Sequence, residues 1–207
     1  MDLGIKGRRA IVTGGGSGIG FETARQFLEE GVRVLIAGRT ADKTNKARDE
    51  LAKRTGGEVH AVQADMSKEA DIKRMIDTAK EKLGGVDILV NNAGTMYSGR
   101  FASLKDDELK NQIETKLFGF MRAIRLVAPG MKTRRWGRIV NIIGGAGKEP
   151  DPYMLGSGIT NSALLNLTKV LSTASAAPRS WPTPSPSSAP NAPATSPVSR
   201  STSMEVA

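Results

Sequence analysis

Five of the eight residues Thr13-Gly14-Gly15-Gly16-Ser17-Gly18-Ile19-Gly20 are glycine. With no Cβ in the way, backbone N–H groups can close on a pyrophosphate. A helix that starts directly behind the loop adds partial positive charge. Gly14, Gly18 and Gly20 are the close-approach positions, Ser17 offers a hydroxyl donor, and Ile19 opens the helix. The plainer alternative is a tight strand–helix turn with no ligand. Placement after the first strand of a βαβ unit favours the phosphate reading.

The elements that must hold this loop follow one another regularly. Ala10-Ile11-Val12 reads as a short buried strand, followed by a helix from about Ile19 to Glu30. Further strands are expected at Val32–Ala37, Val59–Ala64, Asp87–Asn91 and Gly137–Ile143. Helices are expected after each, among them Lys68–Leu83, Asp106–Met131 and Ser162–Leu171. Strands separated by single helices imply right-handed crossovers and a parallel sheet. The expected fold is therefore α/β, a Rossmann-like doubly wound parallel sheet with helices on both faces.

The composition breaks near Ser172. Residues 172–207 hold seven of the ten prolines, ten serines and no glycine. Proline removes backbone donors, and the sparse apolar side chains cannot offset ordering entropy. The expected organisation is a dinucleotide-binding Rossmann domain over residues 1–171 and a disordered Ser/Pro/Ala-rich tail over 172–207. The switch reads as a frame-shifted or truncated gene, or else as a genuine linker. Either way the C-terminal strands of the sheet are expected to be missing, leaving an unprotected edge.

Composition removes several classes of function. There is no cysteine, so disulfide scaffolds and thiol catalysis fall away, and a single histidine leaves no imidazole cluster for a metal. No apolar run is long enough to span a bilayer, and the first residues lack a signal-peptide core, so a cytoplasmic protein with no membrane partner is expected. The net charge of +9 could attract nucleic acid. Because basic residues mostly alternate with acids along helix-like stretches, a solvated surface or an anionic cofactor is the preferred reading, with no nucleic-acid partner.

At this point the chain resembles the short-chain dehydrogenase/reductase family. The family's Thr-Gly-x-x-x-Gly-x-Gly motif is matched at Thr13, Gly14, Gly18 and Gly20, and its Asn-Asn-Ala-Gly motif at Asn91, Asn92, Ala93 and Gly94. Asp65, after the third strand, takes the place of the acid that contacts adenine in this family. The resemblance covers about residues 5–171. It implies a nicotinamide cofactor, contacts from Asn92, Ala93 and Gly94, and a small carbonyl or secondary alcohol as substrate. It also implies a homo-oligomer face on helices around the fourth and fifth crossovers. Met121, Ile124, Leu126 and Met131 either serve that face or form a core-facing stripe.

The end of the second strand selects the cofactor. Enzymes that use NAD usually place an acid there. Gly38-Arg39-Thr40 stands there instead. Arg39 is either a surface side chain or the partner of a 2′-phosphate, so NADP is preferred, with NAD the alternative.

The catalytic end departs from the resembled family. That family uses a tyrosine as proton donor, a lysine four residues later, a serine thirteen residues before, and an asparagine on the preceding helix. In unbroken register those positions hold Ser157, Asn161, Gly144 and Lys116. Tyr153 reaches the tyrosine position only through a four-residue deletion, and no lysine then follows it. Lysine and asparagine have exchanged places, so Lys116 could supply the missing cation next to Asn161. Tyr153 would then be the acid, or Ser157 would hold the carbonyl. Against this, Lys116 could be an ordinary snorkelling lysine and Tyr153 a packed loop aromatic. The expected activity is hydride transfer between NADP(H) and a carbonyl or secondary alcohol. Its rivals are a nucleotide-holding pseudoenzyme and a truncated product without function.

Overall fold

A computed structural model of the chain describes residues 3–175 and the backbone of residues 204–206. Five parallel strands carry it: β1 (Arg9–Thr13), β2 (Arg33–Gly38), β3 (Val59–Gln63), β4 (Ile88–Asn91) and β5 (Gly137–Asn141). Their order is β3-β2-β1-β4-β5, so the chain winds outward from β1 in both directions. That reversal places a crevice beyond the C-terminal ends of β1 and β4, where ligands bind in open α/β sheets.

Period-2 alternation along buried strands sends side chains to two separate cores. Ala10, Val12, Val34 and Ile36 pack with Ala24 and Leu28 of α1 (Gly18–Glu29) and with Ala47 and Leu51 of α2 (Ala41–Thr55). Ile11, Leu35 and Leu89 face the other way. They meet Ile72, Met75 and Ile76 of α3 (Glu69–Leu83) and Ala123, Ile124, Val127 and Met131 of α5 (Gly119–Thr133). Leu35 and Leu89 are fully buried, and truncating either to alanine should cost about 2–5 kcal/mol. Ile124 and Met131 thus belong to the core, whereas Leu126 is 37% exposed.

The helix expected over Asp106–Met131 is not uniform. α4 (Asp106–Gln112) passes into a π-helical turn, Ile113–Phe118, before α5 begins. The Gly119 N–H reaches back to the Glu114 carbonyl, one residue further than an α-helical bond. π turns of this kind occur often at functional sites. Lys116 lies inside it.

α6 (Leu155–Ser175) starts earlier and ends later than the 162–171 expected from sequence, with Leu167 and Leu171 against the α3–α5 side of the sheet. Most of the tail lies outside the described residues. Within them, Met204–Val206 forms a short strand, β6, antiparallel to β5. The edge of β5 therefore carries a partner where the sequence suggested none.

At the opposite end of the sheet from the crevice, Asp87 ties three segments together. Its carboxylate accepts from Arg9 at 2.6 and 2.7 Å and from Arg134 Nε at 3.1 Å. Burial alone would push that carboxyl up, but the hydrogen bonds and charges of Arg9, with the charge of Arg134, hold it below the usual carboxylate range. Arg134, within the basic stretch Lys132-Thr133-Arg134-Arg135-Trp136-Gly137-Arg138, is thereby engaged within the fold.

Candidate active site and its nucleotide cleft

The crevice is a cleft of about 420 Å³ lined by Thr13, Gly14, Ser17, Ile19, Arg39 and Asn92–Gly94, among others. Its floor depends on close backbone approach. Gly14 has φ +67°, and a Cβ there would stand 2.8 Å from Asn92 Nδ2. A Cβ on Gly20 would strike the Gly14 carbonyl oxygen and sit 2.6 Å from the same amide. Thr13 fastens the two loops: its Oγ1 accepts from the N–H groups of Asn92 (2.9 Å) and Ala93 (3.0 Å) and donates to the Val90 carbonyl (3.2 Å). Asn92 Nδ2 donates back to the Thr13 carbonyl at 3.0 Å.

This cradle fits a dinucleotide on three counts. The N-terminus of the twelve-residue α1 opens onto the glycine loop, and the Ser17 side chain makes no capping hydrogen bond, leaving its hydroxyl available. Nothing lies within 4 Å of the Cβ position of Gly18, so that side of the loop is open. Arg39, Thr40 and Lys43 line one wall after β2, with no acid among the lining residues there. Lys43 escaped the sequence reading, although its place in the first turn of α2, four residues after Arg39, was a usable signal. Asp65 does not line the cleft. It stands between Ala64 and Met66, which do, and its Oδ1 accepts from Ser67 at 2.8 and 2.9 Å.

Past Gly94 the site is built from side chains on two helices. Lys116 Nζ donates to Asn161 Oδ1 at 2.6 Å. One helical turn earlier on both helices, Gln112 Nε2 donates to Ser157 Oγ at 2.9 Å and to the Thr95 carbonyl at 2.9 Å. The contacts form two rungs between the α4–π segment and α6. Ser157 and Asn161 are buried, as is Gln112. No carboxylate pairs with Lys116 among the described residues, and burial pushes its ammonium below the ordinary lysine range.

The orientation of Asn161 follows from its partner. An ammonium can only donate, so the amide oxygen must face Lys116 and the amide nitrogen must face away. Asn161 Nδ2 points toward Gly144, where a Cβ would lie 3.0 Å from it. Glycine at 144 thus lets the loop after β5 approach this hydrogen-bond donor without a Cβ crowding it. Gln112 carried no motif to mark it and was missed. A polar residue at a position with core-like spacing is recognisable only once its partner, Ser157, is known.

Tyr153 is not brought to this pair. It is 50% exposed, and its hydroxyl accepts from Arg100 Nη2 at 3.1 Å. Its ring stands with Phe101, Pro150, Pro152 and Leu155 around a separate surface recess. The loop that carries it is held at its backbone by the Gly99 N–H, which donates to the Tyr153 carbonyl at 2.9 Å. Among the described residues there is no group of acids and histidine that could hold a metal ion, and no helix is long and apolar enough to cross a membrane.

Known proteins share this fold. The oxidoreductase YvrD of Bacillus subtilis is 36% identical over 169 residues, which are 82% of this chain and 63% of YvrD. The chain thus spans under two thirds of that relative's length. Among solved structures, the L-sorbose reductase of Gluconobacter frateurii, complexed with NADPH and L-sorbose, superposes with a TM-score of 0.81 at 30% identity. The match covers 84% of this chain and 66% of the reductase. An NAD+-bound xylitol dehydrogenase gives a TM-score of 0.78 at 26% identity, over 82% of this chain and 65% of that one. The family model for short chain dehydrogenase matches residues 8–178, and the chain belongs to that family of oxidoreductases.

Proposed function

We propose that the chain binds NADP(H) and interconverts a small carbonyl compound and its secondary alcohol, with Lys116 and Asn161 at the reacting end. The observation that carries this reading is the 2.6 Å contact between Lys116 Nζ and Asn161 Oδ1. It keeps a cation and a neutral amide side by side although the usual tyrosine, lysine and serine are absent. NADP(H), when bound, supplies the hydride. Asn161 Nδ2 donates to the carbonyl oxygen, and the Lys116 ammonium delivers the proton that the forming alkoxide needs. An ammonium held below its ordinary range gives up that proton more readily. Ser157 and Gln112 fix the helices that present the pair, and Tyr153 takes no part.

Arg39 and Lys43 support the choice of NADP. Two cations on one wall suit a 2′-phosphate, and the L-sorbose reductase that shares the fold holds NADPH. The second reading is nucleotide binding without turnover. It is favoured by the outward placement of Tyr153 on Arg100.

Thermal-shift titration of the purified chain with NADPH and with NADH tests the cofactor first. Stabilisation by NADPH at lower concentration than by NADH is expected. A screen of small ketones and aldehydes for NADPH oxidation then separates the readings. Turnover supports the oxidoreductase. Stabilisation with no turnover across the screen supports the binding protein.

A further inference from the structure

Two groups in the Lys116–Asn161 pair are uncommitted. Among the described residues the amine meets only a neutral amide oxygen, and the amide nitrogen of Asn161, which faces Gly144, meets no acceptor. Other lysines differ: Lys80 pairs with Asp77, Lys82 with Glu81 and Lys110 with Asp107, all at exposed positions. A neighbouring carboxylate holds an amine as ammonium through its full charge, whereas a neutral amide oxygen offers only the weaker support of a hydrogen bond. The Lys116 stem packs beside Gly94, where Cδ lies 3.7 Å from that residue's Cβ position, and Gly94 also lines the nucleotide cleft. A carbonyl compound arriving at the end of the cleft would therefore meet a nucleophilic nitrogen and a donor for its oxygen together.

We propose that Lys116 forms a reversible imine with small aldehydes and ketones, with Asn161 Nδ2 holding the carbonyl oxygen. This is covalent capture in addition to hydride transfer, and it needs no cofactor. The free amine attacks the carbonyl carbon and a C–N bond forms. The C=O π pair moves to oxygen, which Asn161 Nδ2 holds while water protonates it. Through that water the nitrogen returns a proton, and the carbinolamine hydroxyl takes up the proton that the ammonium first released and leaves as water while the nitrogen lone pair closes the C=N bond. Overall, one ammonium and one carbonyl give one iminium and one water. The buried setting of Lys116 favours the free amine that starts this sequence, as in other lysines that form Schiff bases.

The test treats the full chain, without NADPH, with propanal and cyanoborohydride at neutral pH, and maps propylated lysines by mass spectrometry. Lys116 is expected to label about tenfold faster than Lys80, Lys82 or Lys110. Labelling of Lys116 no faster than those three overturns the proposal. In Asn161→Asp a carboxylate of the same shape pairs the ammonium and removes the donor. Labelling of Lys116 is then expected to drop to the level of the exposed lysines with the melting transition retained. Unchanged labelling in that variant overturns the role of Asn161. Because no nucleotide is present, failure of NADPH binding leaves this outcome unaffected, and failure of labelling leaves the cofactor reading standing.

Discussion

The two ends of the cleft are made of different material. At the nucleotide end the shape comes from backbone: Gly14 and Gly20 permit approaches that a Cβ would forbid, and Thr13 ties two loops through N–H groups. At the reacting end the shape comes from side chains, with Gln112 and Lys116 on one helix facing Ser157 and Asn161 on another. Backbone shape tolerates little change of residue type. A contact between side chains needs only that both partners stay complementary, so an ammonium and an amide can trade helices and still meet. What shapes that end is the meeting of two helices rather than any one residue.

Experiments can break this comparison at its strongest point first. Lys116→Ala is expected to lower NADPH-dependent turnover by about 100-fold or more, the range for loss of a positioned acid. NADPH-induced stabilisation should be unchanged in the same preparation, as read by thermal shift. Loss of both together would show that the two ends are not separable. Arg39→Ala probes the other end. Removing a charge-assisted contact of about 1.5–3 kcal/mol should weaken NADPH by roughly tenfold or more, with NADH affinity unaltered, measured by fluorescence titration.

A smaller and independent effect concerns the far end of the sheet. Asp87 has its folded-state pKa depressed below the unfolded value, so its contribution to stability is present above that unfolded value, near 3.8. It is lost as pH falls through the folded value, because the unfolded chain then binds the proton more readily. Denaturant melts are therefore expected to show a loss of stability below about pH 4 that Asp87→Asn does not show, with the variant less stable at neutral pH. The smallest effect expected is that of Tyr153→Phe. Its hydroxyl sits on Arg100 at the surface, so turnover should stay within about twofold of the parent. A large drop would return Tyr153 to the site and undo the side-chain half of the comparison.

Much of this was legible in the sequence, for reasons that differ by residue. The strands announce themselves because each is a buried apolar run bounded by turn residues, as in Ala10-Ile11-Val12 and Ile88-Leu89-Val90. The glycine loop is legible because a Cβ at Gly14 or Gly20 would collide with neighbouring atoms. Lys116 and Asn161 were legible only as a register argument, and their 2.6 Å contact needed the two helices to be placed. Tyr153 misled because spacing along a chain does not say which way a loop side chain turns. Gln112 and the π turn left no trace in periodicity. Asp65 followed its motif, yet the neighbours Ala64 and Met66 line the cleft instead.

The π turn over Ile113–Phe118 has a consequence for how this protein can change. Its backbone bond spans one residue more than the α-helical bonds on either side, so the segment behaves as a single inserted residue absorbed within a helix. Deleting one residue there would return the turn to α-helical geometry while α4 and α5 kept their facing. Phe120, Ala123 and Val127 would still reach the core. What would move is Lys116. Loss of one residue inside this turn would thus re-aim the Lys116 side chain while the core contacts of α5 stayed in place.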